Sequence, residues 1–381
     1  MKFLSKIKTS HIAGKTFFVR IDANIKFISD TFRIEAVLPT LKYLLSKKAK
    51  IVIGSHRGRP LKSSDDESLA PIALLFSKYL KTEVDFISAY RIGALLKSAK
   101  SSSSRIIVLE NLRFFKGEKK NDPLFARMLS SCADVFVNEA FPVSHRKNAS
   151  VCAITSFLPS YAGLRFEEEI KYLSLLMRGS GSPFTLVLGG AKISDKVGVI
   201  DFLGKRADMI LIGGGSANTF FAASGLPMNG SLFDEKSVPF AKKHLNEKKL
   251  FIPIDVKEKR GRILDIGKET QKKFAEIIKD SKTVVWNGPM GFFEEKIFSE
   301  GTRALWEAVY RKAEKDRTAL IIVGGGETIA SLSLIPRLKS RILKQKNIFL
   351  STGGGAMLEY LSGKKLPGVE VLNKRRANNK F

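Results

Sequence analysis

Arginine and histidine collect just behind short apolar runs in the first 150 residues. Asp22, Ala23 and Asn24 follow TFFVRI, and Arg33 lies a short loop further on. The hexapeptide SHRGRP (55–60) sets His56, Arg57, Gly58 and Arg59 directly after KIVIG, while LENLRF brings Arg113 and SHRKNAS brings His145 and Arg146 behind later runs. A guanidinium is a planar fork that grips phosphate or carboxylate through two parallel charge-assisted hydrogen bonds. One such arginine is an ordinary solvated charge. Four or five at corresponding strand ends form a basic bowl for a small anion, because ligands of α/β sheets bind at the carboxyl edge.

The second half carries glycine instead. LGGAKISDK (188–196), IGGGSANTF (212–220), WNGPMGFFE (286–294), VGGGETIAS (323–331) and STGGGAMLE (351–359) all follow apolar runs, and most open helical ones. Without a Cβ, glycine lets main-chain N–H groups approach a phosphate, and a helix N-terminus adds its positive dipole. Any single turn reads more often as tight strand–helix packing than as a phosphate site; five in succession read as a nucleotide cleft. Neither G-x-x-x-x-G-K-[ST] nor G-x-G-x-x-G occurs, so a P-loop and a dinucleotide fingerprint are unsupported. Lys192 and Lys196, four residues apart, share a face if a helix begins there, and would neutralise phosphate. The bland alternative is an exposed lysine pair.

Other chemistries find little material. Cys132 and Cys152 with four histidines supply neither a disulfide framework nor a four-ligand zinc site. Both cysteines read as buried thiols, and Trp286 and Trp306 as core or adenine-pocket lining. No Ser-His-Asp or Cys-His constellation is evident.

Parallel strands must position these loops. Continuous apolar runs at 16–21, 50–54, 105–109, 134–138, 184–188, 209–213, 283–287, 320–324 and 347–351 suit strands buried on both faces. Helical periodicity fills 37–47, 69–80, 167–178, 194–205, 235–247, 269–280 and 301–314. The alternation predicts an α/β fold of two Rossmann-like domains with parallel sheets joined by a hinge helix. The expected boundaries are 1–163, a hinge helix and RGSGSP linker over 164–182, and 183–360.

Composition fits this reading. The chain has 381 residues, 44% hydrophobic and 27% charged, as in an ordinary globular protein. No apolar run approaches the roughly 20 residues of a membrane span. The opening MKFLSKIKTSHIAGK lacks a continuous apolar core, so a cytosolic protein is expected. The charge is unusual: 65 Lys+Arg against 37 Asp+Glu leaves +28. That balance draws anions of every kind, and the even spread of lysines favours a basic solvated surface over a nucleic-acid footprint.

In this order, VRIDANI, RIEAVLPT, GSHRGRP, LENLRFFKGEKKND, VNEAF with HR, LGGAKISDK, WNGPMGFFE, GGGETIAS and STGGGAMLEYLSGKKLPGV resemble the phosphoglycerate kinase family almost from end to end. The resemblance implies reversible transfer of a phosphoryl group between 1,3-bisphosphoglycerate and ADP, giving 3-phosphoglycerate and ATP, with Mg2+ on the nucleotide. It assigns phosphoglycerate to Asp22, Ala23, Asn24, Arg33, His56, Arg57, Gly58, Arg59, Arg113 and Arg146. Nucleotide falls to Lys196, Glu294, Gly325, Gly326, Glu327 and Thr328, with Glu327 meeting the metal. Arg33, Lys192, Gly353 and Gly354 would stabilise the phosphoryl group in flight. It also implies a monomer whose segment 361–381 returns to the N-terminal domain; from composition, no membrane partner is expected and nucleic acid is disfavoured.

The chain departs from the family in places. Glu327 replaces an aspartate, DANIK stands for DFNVP, Arg57 fills an apolar position, Pro142 and Val143 replace a glycine and a hydroxyl, and Pro253 to Asp265 is short, as in a trimmed surface excursion.

The chemistry agrees with the residues. A phosphoglycerate carboxylate is already ionised at neutral pH, so its phosphorylation needs no general base. It needs two polyanions brought in line, charge neutralised and water excluded. Two other readings stand beside it: a degenerate relative that binds ligand with weak catalysis, and a polyanion-binding protein that uses the +28 charge.

Overall fold

The computed structural model describes residues 1–25, 31–60, 62–88, 91–179 and 181–374. Ser180 of the expected linker and 375–381 of the expected tail lie outside them. The chain divides into two compact units: Met1–Lys171 with the chain from Lys365, and Tyr172–Lys364. The dividing point falls within the helix Leu164–Arg178.

The first unit is built on β1 (Thr16–Arg20), β2 (Lys50–Gly54), β3 (Asp85–Ile87), β4 (Ile106–Leu109), β5 (Val135–Asn138) and β6 (Ser160–Ala162). They form one sheet in the order β3-β4-β2-β1-β5-β6, every pairing parallel. Alternate residues of β1 enter different cores: Phe17 and Val19 pack with Ile51 and Ile53, while Phe18 packs with Val52, Ile107 and Phe136. Burial on both faces is why these strands read as unbroken apolar runs.

The second unit contains β7 (Phe184–Leu188), β8 (Met209–Ile212), β9 (Leu250–Phe251), β10 (Val256–Lys259), β11 (Arg262–Ile266), β12 (Thr283–Asn287), β13 (Leu320–Gly324) and β14 (Ile348–Ser351). Six of them make a parallel sheet, β14-β13-β12-β7-β8-β9, and β10 with β11 forms a separate antiparallel hairpin. The α/β class and paired parallel sheets are as the alternation predicts.

Several elements differ from the expectation. Short strands β3, β6 and β9 lie at sheet edges, where two or three residues leave no run to detect. The helix expected over 37–47 spans Phe32–Ser46, so Arg33 sits in its first turn. The expected 194–205 helix is Val197–Leu203, preceded by a turn. Pro253 to Asp265 is no bare excursion: it contains most of the β10–β11 hairpin, whose tip residues Arg260 and Gly261 both have positive φ, 51° and 75°. That pair gives the two-residue turn whose twist suits a hairpin. From Lys365 the chain packs with the first unit, Gly368 N–H donating to Ser144 O at 2.8 Å and Val371 packing on Val143.

Candidate active site

In the first unit the loops after β1, β2, β4 and β5 all leave the same edge of a parallel sheet, and internal hydrogen bonds pin them to one another. The Ser55 hydroxyl accepts from Ala23 N at 2.9 Å and donates to Ile21 O at 3.0 Å. Asn24 Oδ1 accepts from Gly58 N at 2.8 Å, where φ is +66°. Asn111 Nδ2 donates to Arg57 O and to Glu67 O, each at 2.8 Å.

His56 stands at the centre of the cluster, 1% exposed. Burial pushes its pKa well below 6.5, and the guanidiniums of Arg20, Arg113, Arg146 and Arg33 push it the same way. Its Nδ1 lies 3.1 Å from Arg20 Nη2, and its Nε2 lies 3.9 Å from Asp22 Oδ1. Arg33 Nη1 donates to Asp22 Oδ2. Arg113 is buried and donates to Gly58 O; desolvation, chiefly, with Arg146 and Arg20, brings its pKa down to about 10, so it stays cationic at neutral pH. The structure thus gathers Asp22, Arg33, His56, Arg113 and Arg146 about one point. Arg57 is turned aside, with Nε 3.4 Å from Ile25 O, and Arg59 is exposed with no hydrogen bond to a described residue.

Arg20 lies inside the first apolar run, TFFVRI, and has no task in the sequence reading. It is 1% exposed and held by Ser150 Oγ at 2.8 Å, by Ile21 O, and by Glu118 at 3.8 Å. Ser150 lies 130 positions away, so no local signal marks it.

In the second unit the glycine turns after β7, β8 and β12 converge on a cavity of about 660 Å³. Gly190, Gly214, Gly215, Pro289 and Glu327 line it, with the β10–β11 hairpin and Phe292 to Glu295. Gly288 has φ +94°, and a Cβ there would lie 2.3 Å from Gly189 C, so the two turns abut only as glycine. Glu294 lines the cavity and is exposed, as is Glu327, whose carboxylate accepts no hydrogen bond from a described residue. Asp265, unnoticed in the sequence, is 2% exposed in the cavity wall, and burial raises its pKa to about 7 although Gly301 N donates to it at 2.9 Å.

One expectation is corrected here, the shared helical face. Lys192 and Lys196 share no helical face, because the helix starts only at Val197. Lys192 is exposed, while Lys196 is 5% exposed and its Nζ donates to Lys192 O at 2.9 Å. Desolvation lowers the Lys196 pKa, against the opposing charges of Asp195 and Glu327. Thr328 is fully buried, its hydroxyl accepting from Gly288 N at 2.7 Å, so it ties two turns together and does not face the cavity. Of the expected pair Gly353 and Gly354, Gly353 N–H is already given to Ser351 Oγ at 3.0 Å. Gly354, with φ +50°, and Gly355 have open space where a Cβ would stand, and their N–H groups donate to no described residue. Gly325 and Gly326 open the helix Gly326–Ala330 beside them in sequence order, Gly325 at φ +100°. Trp286 and Trp306 are fully buried with ring centroids 4.6 Å apart, in the core and not in the cavity lining. Burial raises Cys132 to about 12 and Cys152 to about 11, as inert thiols require.

The phosphoglycerate kinase family model matches residues 7–364. The chain belongs to the phosphoglycerate kinase family. It is 37% identical over 401 residues to a phosphoglycerate kinase of Finegoldia magna, covering 97% of this chain and 99% of that one. A phosphoglycerate kinase of Akkermansia muciniphila is 38% identical over 395 residues, covering 94% and 95%. Among solved structures, phosphoglycerate kinase from Pyrococcus horikoshii OT3 aligns over 98% of both chains with a TM-score of 0.85 and 32% identity. That from Coxiella burnetii aligns over 97% of this chain and 98% of its own, with a TM-score of 0.77 and 32% identity. The chain is accordingly an enzyme, a phosphotransferase with a carboxyl group as acceptor, and its reaction is the phosphoglycerate kinase step of glycolysis. Nothing found favours the degenerate reading. Among the described residues no helix is long and apolar enough to cross a membrane.

Proposed function

We propose that the cluster of the first unit binds 3-phosphoglycerate and that the cavity of the second binds ADP or ATP. The observation that carries this reading is the convergence of Arg20, Arg33, Arg113 and Arg146 on the buried His56, where Arg20 is paired with Glu118 and Arg33 with Asp22 while Arg113 and Arg146 make no ion pair with a described residue. Arg113 and Arg146 hold the ligand's anionic groups, Asp22 orients Arg33, and Arg33 reaches the transferring phosphoryl group. Asn24, Gly58 and Ser55 fix the loop geometry on which those side chains depend. Arg57 and Arg59 supply outlying positive charge.

On the nucleotide side, Lys196 and the N–H groups of Gly325 and Gly326 face phosphate, Glu294 faces the sugar end, and Gly354 with Gly355 offers unpaired amides to developing negative charge. Exposed Lys192 adds a cation. Charge spreads over the equatorial oxygens of a loose transition state, so fixed donors aimed at them lower the barrier without reorganisation.

Mg2+ fits this donor set. Among the described residues no group of three or more His, Cys, Asp or Glu side chains forms a closed metal cage. Glu327, exposed at the cavity with an unengaged carboxylate, offers the single protein oxygen ligand typical of an ion held largely by phosphates and water. When bound, Mg2+ neutralises charge on the nucleotide phosphates. The reading carries with it a monomeric, cytosolic enzyme. A coupled assay with a Mg2+ titration tests it: turnover with ATP and 3-phosphoglycerate is expected, with Glu327→Gln shifting the half-saturating Mg2+ upward by roughly tenfold. An unshifted Mg2+ dependence in a folded, active variant removes Glu327 from the metal.

A further inference from the structure

The +28 charge exceeds anything the two ligand sites use, and part of it is organised. On the second unit, the helices Lys268–Asp280 and Glu300–Lys315 flank a surface groove of about 810 Å³ that shares no lining residue with the nucleotide cavity. The helices run parallel: Lys312 Nζ, in the last turn of the second, donates to Lys279 O, in the last turn of the first, at 3.1 Å. Thirteen residues of helix make the groove about 20 Å long.

Its floor is apolar and low, with Ala275, Ala304 and Ala308 as the small residues, while its rims carry long charged side chains. Ala304 and Ala308 are one turn apart and so line up along the groove. Seven lysines and arginines line it against three glutamates. Some are already paired: Lys272 with Glu269, Arg311 with Glu307, and Lys312 with Asp316. Lys268, Lys279, Arg303 and Lys315 make no ion pair with any described residue, and they stand near both ends of the groove.

We infer that this groove is a docking site for an acidic amphipathic helix of a partner protein. A trough between two parallel helices with alanines at its base admits a third helix at close range, its apolar ridge on the floor and its carboxylates against the four unpaired cations. One glutamate selects among anions. Glu300 and Glu307 are held by Lys257 and Arg311, so it is Glu276, with no ion pair to a described residue, that repels a phosphate chain, negative at every unit, whereas a peptide can set a neutral or basic residue opposite it. A flat anionic lipid surface would reach the rims and leave the recessed floor empty.

The test uses the full-length enzyme and a fluorescein-labelled peptide of Glu, Ala and Leu whose helix presents an apolar stripe between two acidic ones, read by anisotropy at low salt. Saturable binding is expected, weakened at least tenfold by the double substitution Lys279→Glu, Lys315→Glu. Both residues are exposed and outside the ligand sites, so kinase activity stays unchanged and reports that the variant is folded. The control Lys97→Glu, Lys100→Glu makes the same charge change on the first unit and leaves affinity intact. Absence of saturable binding overturns the inference, as does equal weakening by both pairs, which would mark a diffuse charge effect. It is equally overturned if a poly-dT oligonucleotide or a phosphatidylglycerol vesicle binds more tightly than the peptide and is lost in the groove variant.

Discussion

Arg20 Nη2 lies 3.1 Å from His56 Nδ1, inside a pocket where both side chains are 1% exposed. A guanidinium can only donate, so Nδ1 is the acceptor and the imidazole is neutral with its proton on Nε2, on the side of Asp22. The histidine therefore enters the arginine cluster, the proposed anion site, as a fixed neutral donor among cations. It cannot serve as a proton shuttle there, and a reaction whose acceptor is an ionised carboxylate does not ask for one.

Histidine NMR tests this state. Burial and four surrounding guanidiniums hold His56 well below 6.5. Its ring shifts should stay those of the Nε2-H tautomer down to about pH 6, where an ordinary imidazole is mostly charged. A midpoint near 6.5 would mean that the Arg20 contact is not formed in solution.

Arg33→Ala separates binding from chemistry. Arg33 sits in the first turn of its helix and pairs with Asp22. Removing one preorganised donor to a transition state costs about 3 kcal/mol, on the order of a hundredfold in rate. The expected variant keeps KM for 3-phosphoglycerate within a few-fold and loses kcat; an unchanged kcat in folded protein counts against the assignment.

Glu139 links stability to pH. It is 2% exposed, accepts from Arg165 N at 2.9 Å, Phe166 N at 3.2 Å and Thr40 Oγ1, and so caps the helix Leu164–Arg178. Burial raises its pKa from 4.5 to about 7 in spite of those donors. A carboxyl raised on folding binds more protons folded than unfolded, so its contribution is complete below about 4.5 and disappears as pH climbs through about 7. Glu139→Gln mimics the protonated form. The melting temperature of the variant relative to the parent protein should rise between pH 5 and pH 8, measured by calorimetry at both. A pH-independent difference would show that the carboxyl does not titrate in that window.

The sequence made the sheets legible and left their margins blank. Strands such as TFFVR and TVVWN are covered on both faces and read as unbroken apolar runs, whereas edge strands β3, β6 and β9 are too short to carry a pattern. Helices opened by glycine, such as Gly214–Ala223 and Gly355–Leu361, escape propensity because packing and a strand-end turn, not the glycines, start them. The arginines announced themselves by recurring at strand ends. What positions them did not: Arg20 depends on Ser150 and Glu118, and Asn111 reaches Arg57 and Glu67, all contacts that only the fold creates. Chain order likewise misplaced Lys192 and Lys196 on one helix, since a turn at 194–196 intervenes.

The central claim is that two separately built anion sites, one of guanidiniums and one of main-chain amides, divide the substrates between them. Calorimetric titration of the Arg146→Ala variant with 3-phosphoglycerate and, separately, with Mg-ADP tests it most directly. The account predicts at least tenfold weaker 3-phosphoglycerate binding, the loss of one charge-assisted contact, with Mg-ADP affinity unchanged. Equal weakening of both ligands, or loss of Mg-ADP alone, would contradict it.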